Sequence, residues 1–161
     1  MIKALGLDKF LSLAQSLCII DVRSPGEFAQ GHIPNAINLP LLNNDERAII
    51  GTTYKQLGKE MAVIKGFELV GHKFSDYIIK AKELAPNKKI LIHCWRGGLR
   101  SNIMAWVLQT AGFKVQVLAG GYKTYRQWAL NIFDQPRNVM ILSGNTGTGK
   151  TDVLLTLLKN G

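Results

Sequence analysis

Residues 89–101 read Lys-Ile-Leu-Ile-His-Cys-Trp-Arg-Gly-Gly-Leu-Arg-Ser. The first five form an apolar run of strand length, and Ser101 to Ala111 reads as a helix that stops at Gly112. The segment between them is therefore a strand-to-helix loop, where parallel α/β sheets place their sites. A loop curling into a helix start turns several backbone N–H groups toward one point. With the helix dipole, that makes an anion-binding nest. Arg96 and Arg100 add full charges, and Gly97 and Gly98 let the backbone turn tightly and approach a ligand. A thiol in such a cradle is expected to ionise readily, and thiolate is the nucleophile. Cys94 is thus the candidate catalytic residue, acting on a bound anionic group. The competing reading is a small buried cysteine, but two arginines and two glycines suit no apolar core.

The rest of the chain sets this loop in an alternation of strands and helices. Cys18–Val22 is a short apolar strand, with Cys18 read as core. Ser24, Pro25 and Glu27 form a helix start: N-cap, first helical position and capping-box partner. Ala36–Leu39 reads as a strand and Asn43–Leu57 as a helix. The apolar spacing of Phe67, Val70, Phe74, Ile78, Ala81 and Ala85 predicts an amphipathic helix over 67–84, ended by Pro86. Lys114–Leu118 is another strand, and Gly120-Gly121 turns into a helix over Tyr122–Phe133. The alternation predicts an α/β fold with a mainly parallel central sheet flanked by helices. His93 should face away from Cys94 and play a structural part. His32 and His72 have no metal-ligand spacing, so no metal site is expected.

With 161 residues, the chain is long enough for one domain and a short appendage. No apolar run reaches the ~20 residues of a membrane span. The start Met-Ile-Lys-Ala-Leu-Gly lacks signal-peptide architecture. Two cysteines make no disulfide framework, so a cytoplasmic, reduced protein is expected. The net charge of +9 is uneven. Residues 1–87 hold ten Lys/Arg against nine Asp/Glu, whereas residues 88–161 hold ten against two. Such clustering suits an anionic partner, although solubility alone also explains it.

Asp134–Arg137 looks like a linker. It leads to a strand over Asn138–Leu142, then Gly144-Asn145-Thr146-Gly147-Thr148-Gly149-Lys150-Thr151, then an apolar helix over 152–158. The octet fits the Walker A pattern between strand and helix, as that motif requires. Its N–H groups would cradle phosphates, Lys150 would neutralise outer phosphate charge, and Thr151 would ligate Mg²⁺ in an intact P-loop domain. One strand and one helix cannot bury their apolar faces alone. The expectation is an incomplete P-loop domain over 138–161, truncated shortly after the Walker A motif. It should show no NTPase activity and only weak phosphate binding.

Ile20-Asp-Val-Arg-Ser-Pro-Gly-Glu-Phe28, followed by Gly31-His-Ile-Pro-Asn-Ala36, resembles the amino-terminal signature of rhodanese-like domains. The resemblance covers roughly residues 8–133, gives a rhodanese-like domain over 1–133 with a linker at 134–137, and places Cys94 in the persulfide-forming loop. Asn35 stands where glycine is most common, and Asn tolerates positive φ. Five residues separate Cys94 from Arg100, one more than in typical rhodaneses. His-Cys-five residues-Arg is also the signature of dual-specificity phosphatases of this fold, so the loop by itself leaves sulfurtransferase and phosphatase open.

Three further stretches are similar to tRNA 2-selenouridine synthases, a family that joins a rhodanese-like domain to a P-loop domain. They are Cys94-Trp95-Arg96-Gly97-Gly98-Leu99-Arg100-Ser101, Gly120-Gly-Tyr-Lys-Thr-Tyr-Arg126, and Glu46-Arg47 leading to Gly51-Thr-Thr-Tyr-Lys-Gln56. The resemblance implies replacement of sulfur in wobble 2-thiouridine of tRNA by selenium from selenophosphate, through an S-geranylated intermediate made from geranyl diphosphate. It implies no tightly bound cofactor, tRNA as partner and, by extension, an enzyme that supplies selenophosphate. Cys94 would carry selenium, while Arg96, Arg100 and the loop amides hold the phosphoryl group. Ligand chemistry suggests the Walker A loop for the geranyl diphosphate. Lys114, Lys123, Arg126 and Arg137 are candidate tRNA contacts, or a solvated face. Tyr122, Tyr125 and Trp128 recur every three positions, which suits base stacking or a helix packed on the core; Trp95 is a candidate cover for the site. A non-catalytic binding module is the remaining alternative.

Overall fold

The computed structural model describes residues 2–136 and 141–160. These group into two compact units, one over Met1–Leu130 and one over Asn131–Gly161.

The first unit contains a five-stranded, wholly parallel sheet. Its strands are β1 (Lys3–Leu5), β2 (Cys18–Asp21), β3 (Ala36–Asn38), β4 (Lys89–His93) and β5 (Lys114–Leu118), in the order β1-β5-β4-β2-β3. Helices α1 (Leu7–Ala14), α2 (Pro25–Ala29), α3 (Asn44–Val70), α4 (Phe74–Leu84), α5 (Leu99–Thr110) and α6 (Gly121–Phe133) connect and follow the strands. Strand residues alternate between faces. Ile20, Ile90, Ile92, Val115 and Val117 pack against Tyr77 and Ala81 of α4 and Met104, Ala105 and Leu108 of α5. Leu5, Ile19, Leu91 and Leu118 pack on the other face against Phe10 of α1 and Tyr122 of α6. The chain leaves β2 for the β3 edge and returns at β4 on β2's other side. The strand order therefore reverses between β2 and β4, and a crevice forms at their carboxyl ends.

Local chemistry explains these elements. Ser24 Oγ accepts from Glu27 N–H, and the Glu27 carboxylate accepts from Ser24 N–H, with Pro25 opening α2. Asn43 and Glu46 repeat the capping box at α3. Asn35 adopts φ 63°, the left-handed conformation expected of it.

One helical expectation keeps its bounds and one needs correction. The helix expected over Asn43–Leu57 is capped by Asn43 and ends where Gly58 (φ 86°) breaks the geometry; a further helical stretch then runs on to Val70. The helix expected over 67–84 is two pieces, because Gly71–Lys73 tightens into a 3-10 turn between α3 and α4. Lys73 turns there and pairs with Glu46.

The second unit contains α7 (Lys150–Asn160), preceded by the Gly-rich loop. Of the strand expected over Asn138–Leu142, residues 138–140 lie outside the described residues. Ile141 and Leu142 are in no strand and are 85% and 43% exposed. Among the described residues, no helix is long and apolar enough to cross a membrane.

Candidate active site

Cys94 directly follows β4 and is buried. Its Sγ accepts from Gly98 N–H at 3.3 Å and lies 3.3 Å from Ser101 Oγ. The fully buried Ser101 donates to Gly98 carbonyl O at 2.9 Å. Gly98 is the N-cap of α5, so the sulfur sits at the positive end of a twelve-residue helix. A second loop clamps the first. Tyr122 N–H donates to Cys94 O at 2.8 Å, and Lys123 N–H donates to Trp95 O at 3.0 Å. Gly97 and Gly121 both have positive φ where these loops meet. The Cys94–Ser101 loop is therefore held from two sides before any ligand arrives.

The charges differ from the expectation. Arg96 is exposed and makes no ion pair among the described residues. Arg100, expected to present its whole charge, instead donates to both Glu27 oxygens, at 2.6 and 3.2 Å. Arg47 approaches the same carboxylate at 3.4 Å. Burial pushes the Glu27 carboxyl up. Arg100, the Ser24 N–H and Arg47 outweigh it and hold the group at about 2. Burial opposes the charge on Arg100, but Glu27 more than restores it and its pKa rises. Two guanidinium N–H groups are engaged here; the fork has five donors, so others remain for an anion.

Beneath the loop lies a network the sequence reading did not single out. Arg23 is fully buried. Its Nε and Nη2 reach the Asp21 carboxylate at 2.9 and 2.6 Å, and Nη2 also donates to Gly31 O at 2.7 Å. Its guanidinium stands 3.9 Å from the Tyr122 ring centre and 5.9 Å from that of Trp95. The available signal was Asp-Val-Arg at a strand end, two positions apart and so on one face. His93 is on the face opposite Cys94, fully buried against Phe10 and Tyr122, with Asp21 Oδ2 3.7 Å from Nε2. Burial pushes His93 down to about 4, against the pull of Asp21. The structural part expected of it fits this position. His32 stacks on Phe28 and lies exposed, His72 is also exposed, and Cys18 is half-buried against the core.

Tyr122, Tyr125 and Trp128 form one ladder with Trp95, with neighbouring ring centres 5.7–6.0 Å apart. Tyr122 is buried and Trp128 is 38% exposed, so the ladder runs from core to surface. Trp95 packs on Tyr122 and stands under the Arg23 guanidinium. Lys123 and Arg126 are exposed on α6, which follows the carboxyl end of β5. Lys114 does not join them: it opens β5 at the opposite rim. Arg137 lies outside the described residues.

In the Gly-rich loop, Gly144, Gly147 and Gly149 have positive φ, and Lys150 and Thr151 open α7. Lys150 Nζ donates to Gly144 O at 2.8 Å and Asn145 O at 2.6 Å, so its ammonium closes back on its own loop. Thr148 Oγ1 donates to Asn145 O, and Thr146 and Thr151 are exposed.

A parallel sheet carrying a cysteine at a helix N-terminus, beside its strand-order reversal, defines a class of protein. The rhodanese-like domain family matches residues 6–127, and the chain belongs to it. More particularly, it is 41% identical over 146 residues to the tRNA 2-selenouridine synthase of Psychromonas ingrahamii, covering 89% of this chain and 40% of that protein. It is 41% identical over 152 residues to that of Shewanella denitrificans, covering 91% and 41%. The chain thus spans about two fifths of the length of these curated relatives. Among solved structures, the N-terminal domain of a protein described as ATP/GTP-binding from Clostridium difficile 630 superposes with a TM-score of 0.74 at 43% identity, over 80% of this chain and 99% of that one.

Proposed function

We propose that this chain is the chalcogen-handling part of a tRNA-modifying transferase, which replaces sulfur of wobble 2-thiouridine with selenium. The observation that carries the reading is Cys94 Sγ, held by Gly98 N–H at the start of α5 in the loop that also carries Arg96 and leads to Arg100, in a chain 41% identical to proteins named tRNA 2-selenouridine synthase. Cys94 is the nucleophile and carrier: its thiolate attacks selenium, the Se–P electron pair leaves with phosphorus as phosphite, and Cys94 is left holding an S–Se bond. Arg96, the remaining donors of Arg100 and the loop amides take the phosphoryl group of selenophosphate. Gly144–Thr151 takes the diphosphate of the geranyl donor, whose charge draws Lys150 off its own carbonyls. Magnesium belongs to this reading only with a complete P-loop domain. tRNA is the acceptor, and the selenophosphate comes from a separate enzyme.

The test is incubation with selenophosphate, thiosulfate and a phosphotyrosine mimic, followed by mass spectrometry of the Cys94 peptide. Selenium on Cys94 supports the reading. Sulfur alone makes the chain a sulfurtransferase, a phosphoryl adduct alone makes it a phosphatase, and no adduct makes it a binding module. Cys94→Ser should abolish selenium transfer with the fold intact; retained transfer refutes the nucleophile role.

A further inference from the structure

The rim of the sheet opposite Cys94 holds a second concentration of charge. An open cavity of about 690 Å³ lies where β1, α1, β5 and the start of β4 meet. Lys3, Lys9, Lys89 and Lys114 line it, with Gln109 and Gln116, and no carboxylate does. All four lysines are exposed, and none is ion-paired among the described residues.

The strand register explains how they converge. Lys89 pairs with Lys114, Lys3 with Gln116, and Leu5 with Leu118. With a period of two, Lys3, Lys89, Lys114 and Gln116 share the face that carries Leu5, Leu91 and Leu118. That face is apolar at the carboxyl ends and cationic where the strands begin. Lys3 and Lys9 come from the nearly neutral first half of the sequence; the pairing of β1 with β5 adds them to the basic second half.

We propose that this cavity is a docking site for the phosphodiester backbone of RNA, separate from the Cys94 loop. The proposal rests on the reading of tRNA as acceptor. Lysines are hydrated point charges on flexible stems, suited to successive phosphates rather than to one bidentate anion. A space of this size and openness accommodates more than one phosphate group. From Lys89 to Cys94 the sheet measures about 16 Å, so a long RNA held here leaves the Cys94 rim open to the nucleotide being modified. Backbone contacts carry no sequence information, so recognition of the base stays with the other rim.

The test is fluorescence-anisotropy titration of labelled tRNA against the wild-type chain and the quadruple variant Lys3→Gln, Lys9→Gln, Lys89→Gln, Lys114→Gln, across a salt series. Circular dichroism and melting confirm the variant's fold. The expected result is affinity at least tenfold weaker, with the slope of log K against log salt shallower by about 3. An unrelated RNA should lose as much, while selenium loading of Cys94 from selenophosphate stays unchanged. Equal affinity and slope in variant and wild type would overturn the docking site and leave the functional reading standing. Displacement of tRNA by inorganic phosphate at matched phosphate concentration and ionic strength would overturn it in favour of a small-anion site. No tRNA binding by the wild type, with selenium still loading on Cys94, would overturn both the site and the RNA part of the reading.

Discussion

Glu27 Oε2 accepts from Arg100 Nη1 at 2.6 Å, across 73 positions of sequence. The contact joins the helix that follows β2 to the helix that follows β4, across the crevice at the sheet's strand-order reversal. One carboxylate thereby caps α2 and fixes the first turn of the cysteine-loop helix.

That pairing should appear in the acid limb of stability. Glu27 is held at about 2 in the folded protein against an ordinary value of 4.5. A lowered carboxyl contributes stability above its unfolded pKa, and the contribution drains away as pH falls toward its folded pKa. Between pH 5 and 3 the wild type should lose about 2 kcal/mol through this group. Glu27→Gln keeps an acceptor for Ser24 N–H, so it removes the charge while retaining the cap. Urea denaturation at the two pH values should show a smaller loss in the variant, together with lower stability at pH 7. An unchanged acid limb would mean that the pair is electrostatically idle.

The loop's two adjacent glycines should not be equivalent. Gly97 has φ 65°, and a Cβ there would come within 2.5 Å of Leu118 carbonyl O. Gly98 has φ −104° and open space around a built Cβ. Gly97→Ala combines left-handed strain with a backbone clash and should cost on the order of 3 kcal/mol. Gly98→Ala should change stability by less than about 1 kcal/mol and leave Cys94 reactive. Melting curves and thiol-labelling rates of the two variants check both. Equal destabilisation would contradict the loop geometry.

These particulars show where sequence could be read and where it could not. The strands over 89–93 and 114–118, the capping box at Ser24 and the Cys94 loop follow from local pattern: apolar runs, caps and paired glycines. β1 has three residues with one buried, too short a run to signal a strand; its pairing with β5 spans more than a hundred positions. The Glu27–Arg100 pair was hidden for the same reason. Residue 27 already had a complete local explanation in the capping box, and nothing in its spacing points to residue 100. The single periodic stretch from Phe67 to Ala85 concealed the turn at Gly71–Lys73, because its apolar spacing continues through the break.

Asp21 and Arg23 should behave as a buried pair whose halves cannot be removed singly. Both side chains are essentially without solvent contact. Arg23→Met leaves the Asp21 carboxylate buried without its cation and should cost about 3–5 kcal/mol. Adding Asp21→Leu to it should recover much of that loss, because the uncompensated charge is gone. Chemical denaturation of the single and double variants measures the coupling. A double variant as unstable as the single one would assign the cost to lost packing on Tyr122 instead.

His93 governs a different pH window from Glu27. It is held neutral by burial, at about 4 against 6.5 when unfolded. Between those values the unfolded chain binds a proton that the folded chain refuses, so stability falls as pH falls. From pH 7 to pH 5 the loss through this one ring should be about 2 kcal/mol. Among the described residues neither ring nitrogen makes a hydrogen bond of normal length, Asp21 Oδ2 standing 3.7 Å from Nε2, and the ring already packs between Phe10 and Tyr122. His93→Phe therefore removes two desolvated polar atoms from an aromatic site. It should equal or exceed wild-type stability at pH 7 and show little change down to pH 5. Denaturation midpoints at both pH values decide it: a variant that loses as much as the wild type would place the titrating group elsewhere.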